Sequence, residues 1–244
     1  MQTAMNTPGL RHELTILLYH HMGRPPKSAT IHGLYTTRRQ FDWQMRQLLG
    51  LGVRFLTCAD LVKQTYPDSD EARWVMVTFD DGSRGVHEQA LPILKKYNIP
   101  AVVYPIAGDV GKSRVVWEHS TDKSEHAMLT AEQIQEMARC GIEFGSHFVH
   151  HVHATELPEH ELNDELGESK RMLEGILDKE ILSVAYPFGS YSPDVMRAAQ
   201  RAGYRFGMST ARGTNINRNP MELCRVPVKG SRWHHYWYFM QFLS

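Results

Sequence analysis

The run Thr78-Phe79-Asp80-Asp81-Gly82 closes a short apolar stretch, Trp74 to Val77. Its two adjacent carboxylates are the first residues that invite chemistry. Two acids at the end of a buried strand must shed water and repel one another, so packing does not account for them. A cation relieves that cost, and the pair can then divide its labour, one Asp holding a metal while the other moves a proton. The same residues also read as an Asp-Asp-Gly turn after a strand, because Asp and Gly favour turns.

A second cluster bears on that choice. Gly145-Ser146-His147-Phe148-Val149-His150-His151-Val152-His153 holds four histidines within seven positions. His147 and His151 stand four apart, which predicts both imidazoles on one face of a helical turn, at a spacing that lets two His share one metal. The preceding residues, Cys140 to Gly145, read as a helix stop and a short strand, so this cluster too falls at a strand's C-terminal end. Neutral imidazoles with a carboxylate make a nitrogen-and-oxygen site for one divalent ion, with zinc first and cobalt, nickel or iron also suited. The alternative is a solvated His-rich loop, and the Asp pair counts against it.

These motifs resemble the polysaccharide deacetylases of carbohydrate esterase family 4. The resemblance covers most of the chain. It begins at Leu17-Leu18-Tyr19-His20-His21 and Tyr35-Thr36-Thr37-Arg38-Arg39-Gln40-Phe41. It continues through Phe55-Leu56-Thr57, the Asp80-Asp81 and His147 motifs, and Ala185-Tyr186-Pro187-Phe188-Gly189. The wording is closest to the branch containing poly-N-acetylglucosamine deacetylases. The resemblance implies an α/β fold, a distorted and incomplete TIM-like (β/α) barrel with its site at the C-terminal ends of the strands, as is general for such barrels.

It also implies roles. Asp80 would be the general base, and Asp81, His147 and His151 the metal ligands. The backbone N–H of Phe188 would face the oxyanion, and Tyr186 and Pro187 would wall the substrate groove. The reaction implied is removal of N-acetyl groups from an N-acetylglucosamine-containing saccharide. Two other readings stand beside it: a hydrolase of a small cyclic amide on the same fold, and a saccharide-binding protein that has lost catalysis.

The sequence departs from the family pattern in several places. Phe148 replaces the hydroxyl residue after the first metal His, and Val152 replaces the Pro after the second, which predicts a differently shaped loop. Ala185 stands where an Arg usually orients the catalytic Asp. No C-terminal Leu-x-His supplies a general acid, which leaves His20 or His21, at the end of the first predicted strand, as candidates; His20 is carried forward as the catalytic one.

The remaining elements must position these residues. The 244 residues are 42% hydrophobic and 22% charged, with a formal net charge of zero, enough for one barrel-sized core over residues 14–244 behind a polar segment, 1–13. No basic block suggests nucleic acid or an anionic membrane as partner. Oligomeric state is left open. Cys58, Cys140 and Cys224 form no Cys-x-x-Cys pair and predict reduced thiols. The apolar run Leu14 to Tyr19 is too short for a leader's core or a membrane helix, so a cytoplasmic site is expected.

Strands are predicted at Leu14–Tyr19, Arg54–Leu56, Ala101–Tyr104, Ser183–Tyr186 and Phe206–Ser209. Capping boxes at Thr37 and Thr130 open helices, Ser192-Pro193 opens another, and Pro92 predicts a kink or a late start in a helix over 85–97. Glu159 to Leu177 reads as an amphipathic helix whose charges form a solvated face. Residues 107–128 read as a long loop, with Trp117 a candidate for sugar stacking or for burial. The aromatic run Trp233 to Met240 reads as a last helix packed on the barrel, or as a groove or partner surface.

Overall fold

The computed structural model describes residues 14–63, 73–116, 125–213, 215–216 and 218–228. Trp117 and the 233–240 run lie outside the described residues. The central element is β5 (Trp74–Phe79), buried along its whole length. It pairs in parallel with β1 (Leu14–Tyr19) on one side. On the other it pairs with β4 (Arg54–Phe55) at its start and with β6 (Val102–Val103) at its end. β6 continues to β7 (Glu143–Phe144), and β1 pairs with β10 (Val226–Pro227). A separate parallel pair joins β8 (Ser183–Ala185) to β9 (Phe206–Met208).

Single parallel bridges, Ser146 to Val184 and Met208 to Leu223, connect that pair to its neighbours on both sides. The strands therefore follow one another round an irregular ring whose seams are bridges rather than ladders. A small outlying pair, β2 (His21–Met22) with β3 (Tyr35–Thr36), sits beside the end of β1.

Both faces of the strands are buried, which is why β5 reads as a continuous apolar run rather than an alternating one. One face, with Ile16, Met76, Val102 and Met208, packs with Leu14, Trp74, Tyr104 and Phe206 in one cluster. The alternate residues, Leu17, Val75, Val77 and Val103, pack against the helices, as the period of two requires. α1 (Arg38–Gly50) contributes Phe41, Met45 and Leu48 to that outer layer. α4 (Ala131–Arg139) contributes Ile134 and Met137, and α5 (Glu159–Leu177) contributes Leu162, Leu166 and Leu173.

α1 and α4 each begin in the predicted capping box, at Thr37 and Thr130. α6 (Pro193–Arg201) begins at Ser192, whose side chain accepts from the Val195 N–H. α2 (Cys58–Lys63) is a short helix, and α5 has the bounds the sequence predicts. The regular α-helix starts late, at Leu91, with Pro92 in its first turn. Five residues of π-helix, Val86–Ala90, precede α3 (Leu91–Tyr97), and the Leu91 N–H donates to the Val86 carbonyl. Proline lacks an N–H and crowds the preceding turn, and the widened turn accommodates it.

Among the described residues, no helix is long and apolar enough to cross a membrane.

Candidate metal centre

The C-terminal ends of β5, β7 and β8 meet at one rim. Among the described residues, five other than glycine have positive φ. Two of them, Asn98 and Asp178, are left-handed C-caps of α3 and α5. The other three, Asp81, Phe148 and Phe188, each occupy one of the three strand-end loops, at φ of 67°, 66° and 57°. Such backbone persists only where its surroundings over-determine it, and it concentrates at functional sites.

β5 ends by placing Asp80 and Asp81 in different surroundings. The Asp80 N–H donates to the Tyr19 carbonyl at 2.9 Å, holding the loop to β1. The Asp80 carboxylate receives both guanidinium arms of Arg225, Nη1 to Oδ1 and Nη2 to Oδ2, each at 2.7 Å. Arg225, just before β10, is wholly buried, and its Nε donates to the Ser209 carbonyl. Burial pushes the Asp80 carboxyl up, but the Arg225 charge overrides it and brings the group down to about 2.

Asp81 turns the other way. Its Oδ1 lies 3.6 Å from His147 Nε2 and 3.7 Å from His151 Nε2, and its Oδ2 lies 3.7 Å from His21 Nε2. One donor atom from each of Asp81, His147 and His151 falls within 4.8 Å of the others. Burial and the nearby Asp80 push the Asp81 carboxyl well up.

His147 is fixed by backbone. Its N–H donates to the Pro105 carbonyl, and its Nδ1 donates to the Ala185 carbonyl at 2.8 Å, so Nε2 keeps its lone pair towards Asp81. This is the second hydrogen bond that metal-ligating imidazoles commonly make. The expected helical turn is absent: residues 147–153 form an open loop. Phe148, in the left-handed region, reverses the chain so that His151 returns to within 5.1 Å of the His147 ring. The spacing of four is thus met by a bend. Burial lowers both imidazoles, His151 to about 2.

These residues fit a divalent cation. Arg225 offsets the Asp80 charge, burial holds the imidazoles of His20, His21, His147 and His151 neutral, and a bound cation would favour the ionised form of the raised Asp81 carboxyl. Two inward imidazole nitrogens and a carboxylate oxygen are three ligands of the type that leaves coordination positions open.

The other candidates divide. His20, half-buried after β1, interacts electrostatically with Asp80, Arg225 and His147; burial brings its imidazole down to about 4 while the Asp80 charge opposes the shift. Phe188 is 38% exposed, and its ring stacks on His153 at 4.1 Å and leans on His151 at 4.3 Å. Tyr186 and Pro187, the residues expected to wall the groove, are both buried, and the Tyr186 hydroxyl donates to the Met221 carbonyl.

The residue that the sequence reading missed is Arg225. Its signal was an arginine inside an otherwise apolar run, Leu223-Cys224-Arg225-Val226-Pro227, where a buried cation needs a carboxylate.

A parallel α/β ring that gathers an Asp-His-His donor set beside an Arg-paired carboxylate at its C-terminal rim has the chemical equipment of a metal-assisted hydrolase. The comparisons with known proteins agree in kind. A family model described as "Polysaccharide deacetylase" matches residues 68–207, more than half of the chain. The chain belongs to the polysaccharide deacetylase family.

A Bacillus subtilis (strain 168) protein, YxkH, provisionally named a polysaccharide deacetylase, is 27% identical over 202 residues, covering 82% of this chain and 66% of its own length. The chain therefore spans slightly less than two thirds of that relative. The Staphylococcus aureus (strain MSSA476) poly-beta-1,6-N-acetyl-D-glucosamine N-deacetylase is 26% identical over 219 residues, covering 85% of this chain and 72% of its own. The solved structure of IcaB from Ammonifex degensii superposes with a TM-score of 0.77 at 25% identity, covering 94% of this chain and 97% of that one.

Proposed function

We propose that this chain is a metal-dependent N-deacetylase of an N-acetylglucosamine-containing saccharide, with zinc as the first choice of ion and cobalt, nickel or iron as the others. The observation that carries this reading is the convergence of Asp81, His147 and His151 beside an Asp80 held by Arg225. The name of the Staphylococcus aureus relative supports the substrate class.

When bound, a divalent ion would polarise the acetamide carbonyl and lower the pKa of water at the site. The chain's own groups do the rest. Asp80 accepts the proton of the attacking water. Arg225 holds both carboxylate oxygens in place, so the accepting atom is positioned before the reaction, and position is worth more here than basicity. The Phe188 N–H is the donor for the developing oxyanion. The proton that Asp80 accepts must then reach the departing nitrogen, and the neutral imidazole of His20, on the Asp80 side of the cluster, is the group that relays it.

The reading as a binding protein without catalysis rests on Ala185 and on the lack of a C-terminal Leu-x-His motif. Arg225 supplies the guanidinium that position 185 lacks, and His20 supplies an imidazole within electrostatic reach of Asp80.

The test is acetate release from β-1,6-linked N-acetylglucosamine oligomers by metal-loaded protein, with Asp80→Asn in parallel. Release by the unaltered chain and its loss in the variant are expected. A metal-saturated protein that binds the oligomer and releases no acetate would overturn the proposal, and release only from small cyclic amides would replace the substrate class.

A further inference from the structure

The two histidines of the donor set are held in different ways. His147 is anchored through its own N–H and ring. The place of His151 depends on the path of residues 148–150, and every backbone polar group of the first two of them has a partner. The Phe148 N–H donates to Ser146 Oγ at 3.2 Å. The Phe148 and Val149 carbonyls accept from the Ala107 and Gly108 N–H groups at 2.9 and 3.0 Å. A Cβ at Gly108 would lie 2.5 Å from the Val149 oxygen, so the two segments are in close backbone contact.

The remaining donors converge on one side chain. Glu165 Oε2 accepts from the Val149 N–H at 2.8 Å and the His150 N–H at 2.9 Å, while Oε1 pairs with His150 Nδ1 at 2.6 Å. The Glu165 side chain is only 12% exposed, although its acidic neighbours on the helix, Glu159, Glu161, Asp164 and Glu168, face water.

We infer that Glu165 is a positioning residue for the metal centre: from α5 it clamps the 149–150 backbone and thereby sets where His151 presents Nε2 to the ion. The inference rests on the metal reading above. The carbonyl side of the loop is held by main chain, which mutation cannot remove; the Val149 and His150 N–H groups are held by this one carboxylate. Two N–H groups sharing one carboxylate oxygen is a charge-assisted arrangement. Its loss leaves those N–H groups free to turn, and a ligand imidazole that is no longer pre-placed must be ordered by the ion itself.

The experiment is Zn²⁺ affinity by competition with a chromophoric chelator, together with the visible absorption of the Co²⁺-substituted protein, for the unaltered chain, Glu165→Leu, Glu165→Gln and His150→Ala. Supporting contacts of this kind are typically worth about 10–100-fold in metal affinity. Glu165→Leu is expected to weaken zinc by that factor and to alter the Co²⁺ spectrum. Glu165→Gln keeps an oxygen for both N–H groups and is expected to retain most of the affinity. His150→Ala removes only the ring contact and is expected to stay near the unaltered value.

Equal zinc affinity in all four, or equal losses in the Leu and Gln variants at matched circular dichroism, would overturn the inference. If the unaltered chain itself binds no divalent metal, it is the metal reading that fails.

Discussion

Replacing Arg225 by Met tests the view that Asp80 is held rather than merely present. The pair is fully buried, with two contacts of 2.7 Å and a side-chain exposure of 0% and 4%. Removing one partner of such a pair typically costs about 3–5 kcal/mol, because the other charge is left buried without compensation. At about 2–4 °C per kcal/mol for a chain of this size, the melting temperature should fall by roughly 6–20 °C.

The pH dependence separates charge from packing. The Asp80 carboxyl is depressed to about 2 in the folded protein, below an unfolded value near ~3.9. Its stabilising contribution is therefore fully present above the unfolded value and is lost as pH falls through the folded one. That contribution is on the order of 2–3 kcal/mol. In Arg225→Met the carboxyl should rise by about 1–3 units, so the contribution shrinks or vanishes. The stability gap between the two proteins, read by urea titration of metal-free samples, should narrow as pH falls from ~4 towards ~2.

Arg225→Lys sharpens the test. It keeps a positive charge but not the two-armed grip, so much of the pH linkage should survive while acetate release falls by about 10–100-fold from misplacement of the accepting oxygen. A folded Arg225→Met protein with an unchanged pH profile of stability and unchanged acetate release would refute the reasoning.

Two further outcomes follow from the same rim. Adding zinc at 100 times its dissociation constant to chelator-stripped protein should stabilise it by about 2.7 kcal/mol, roughly 5–11 °C in melting temperature, and Asp81→Asn should abolish most of that shift; a shift of equal size in the variant would place the ion elsewhere. Gly82→Ala should lower the unfolding free energy by roughly 1–3 kcal/mol, read as a lower urea midpoint at unchanged slope, because its Cβ would lie 2.6 Å from Pro105 Cβ at a φ of +75°; a midpoint equal to that of the unaltered chain would show that the loop after Asp81 is not so constrained.

The sequence made some of this arrangement legible and hid the rest for a physical reason. Asp80-Asp81 and the His147-to-His151 run are local, and each lies at the end of a strand that its own residues announce. The capping residues Thr37, Thr130 and Ser192 are local as well, because each side chain meets N–H groups within its own first turn.

Arg225 is 145 residues from its partner and precedes a strand of only two residues. No periodicity marks it, and only the ring's closure through β10 and β1 carries it to Asp80. Glu165 was hidden differently. It lies among Glu159, Glu161, Asp164 and Glu168 on α5, and the expectation of a solvated face fits most of these charges. The exception shows only once the loop after β7 is in place to receive it. Tyr186 has its motif at the site, but its hydroxyl donates to the Met221 carbonyl, a partner 35 residues away that the motif does not announce.

The exchange of Ala185 for the usual Arg follows from the same geometry. Ala185 lies in the ring's interior cluster, and its backbone carbonyl orients His147. The guanidinium arrives instead on the strand beside β1, between the Ser209 carbonyl and Asp80. What the site requires is a fixed positive charge with two parallel donors facing the carboxylate of Asp80, and several strands of a parallel ring end close enough to supply it. A motif position read along the chain tests which strand carries the group, whereas the chemistry depends only on where its charge ends. On the proposed reading, Arg225 takes in space the place of the arginine that position 185 lacks, and it is the removal of Arg225 that should cost the activity.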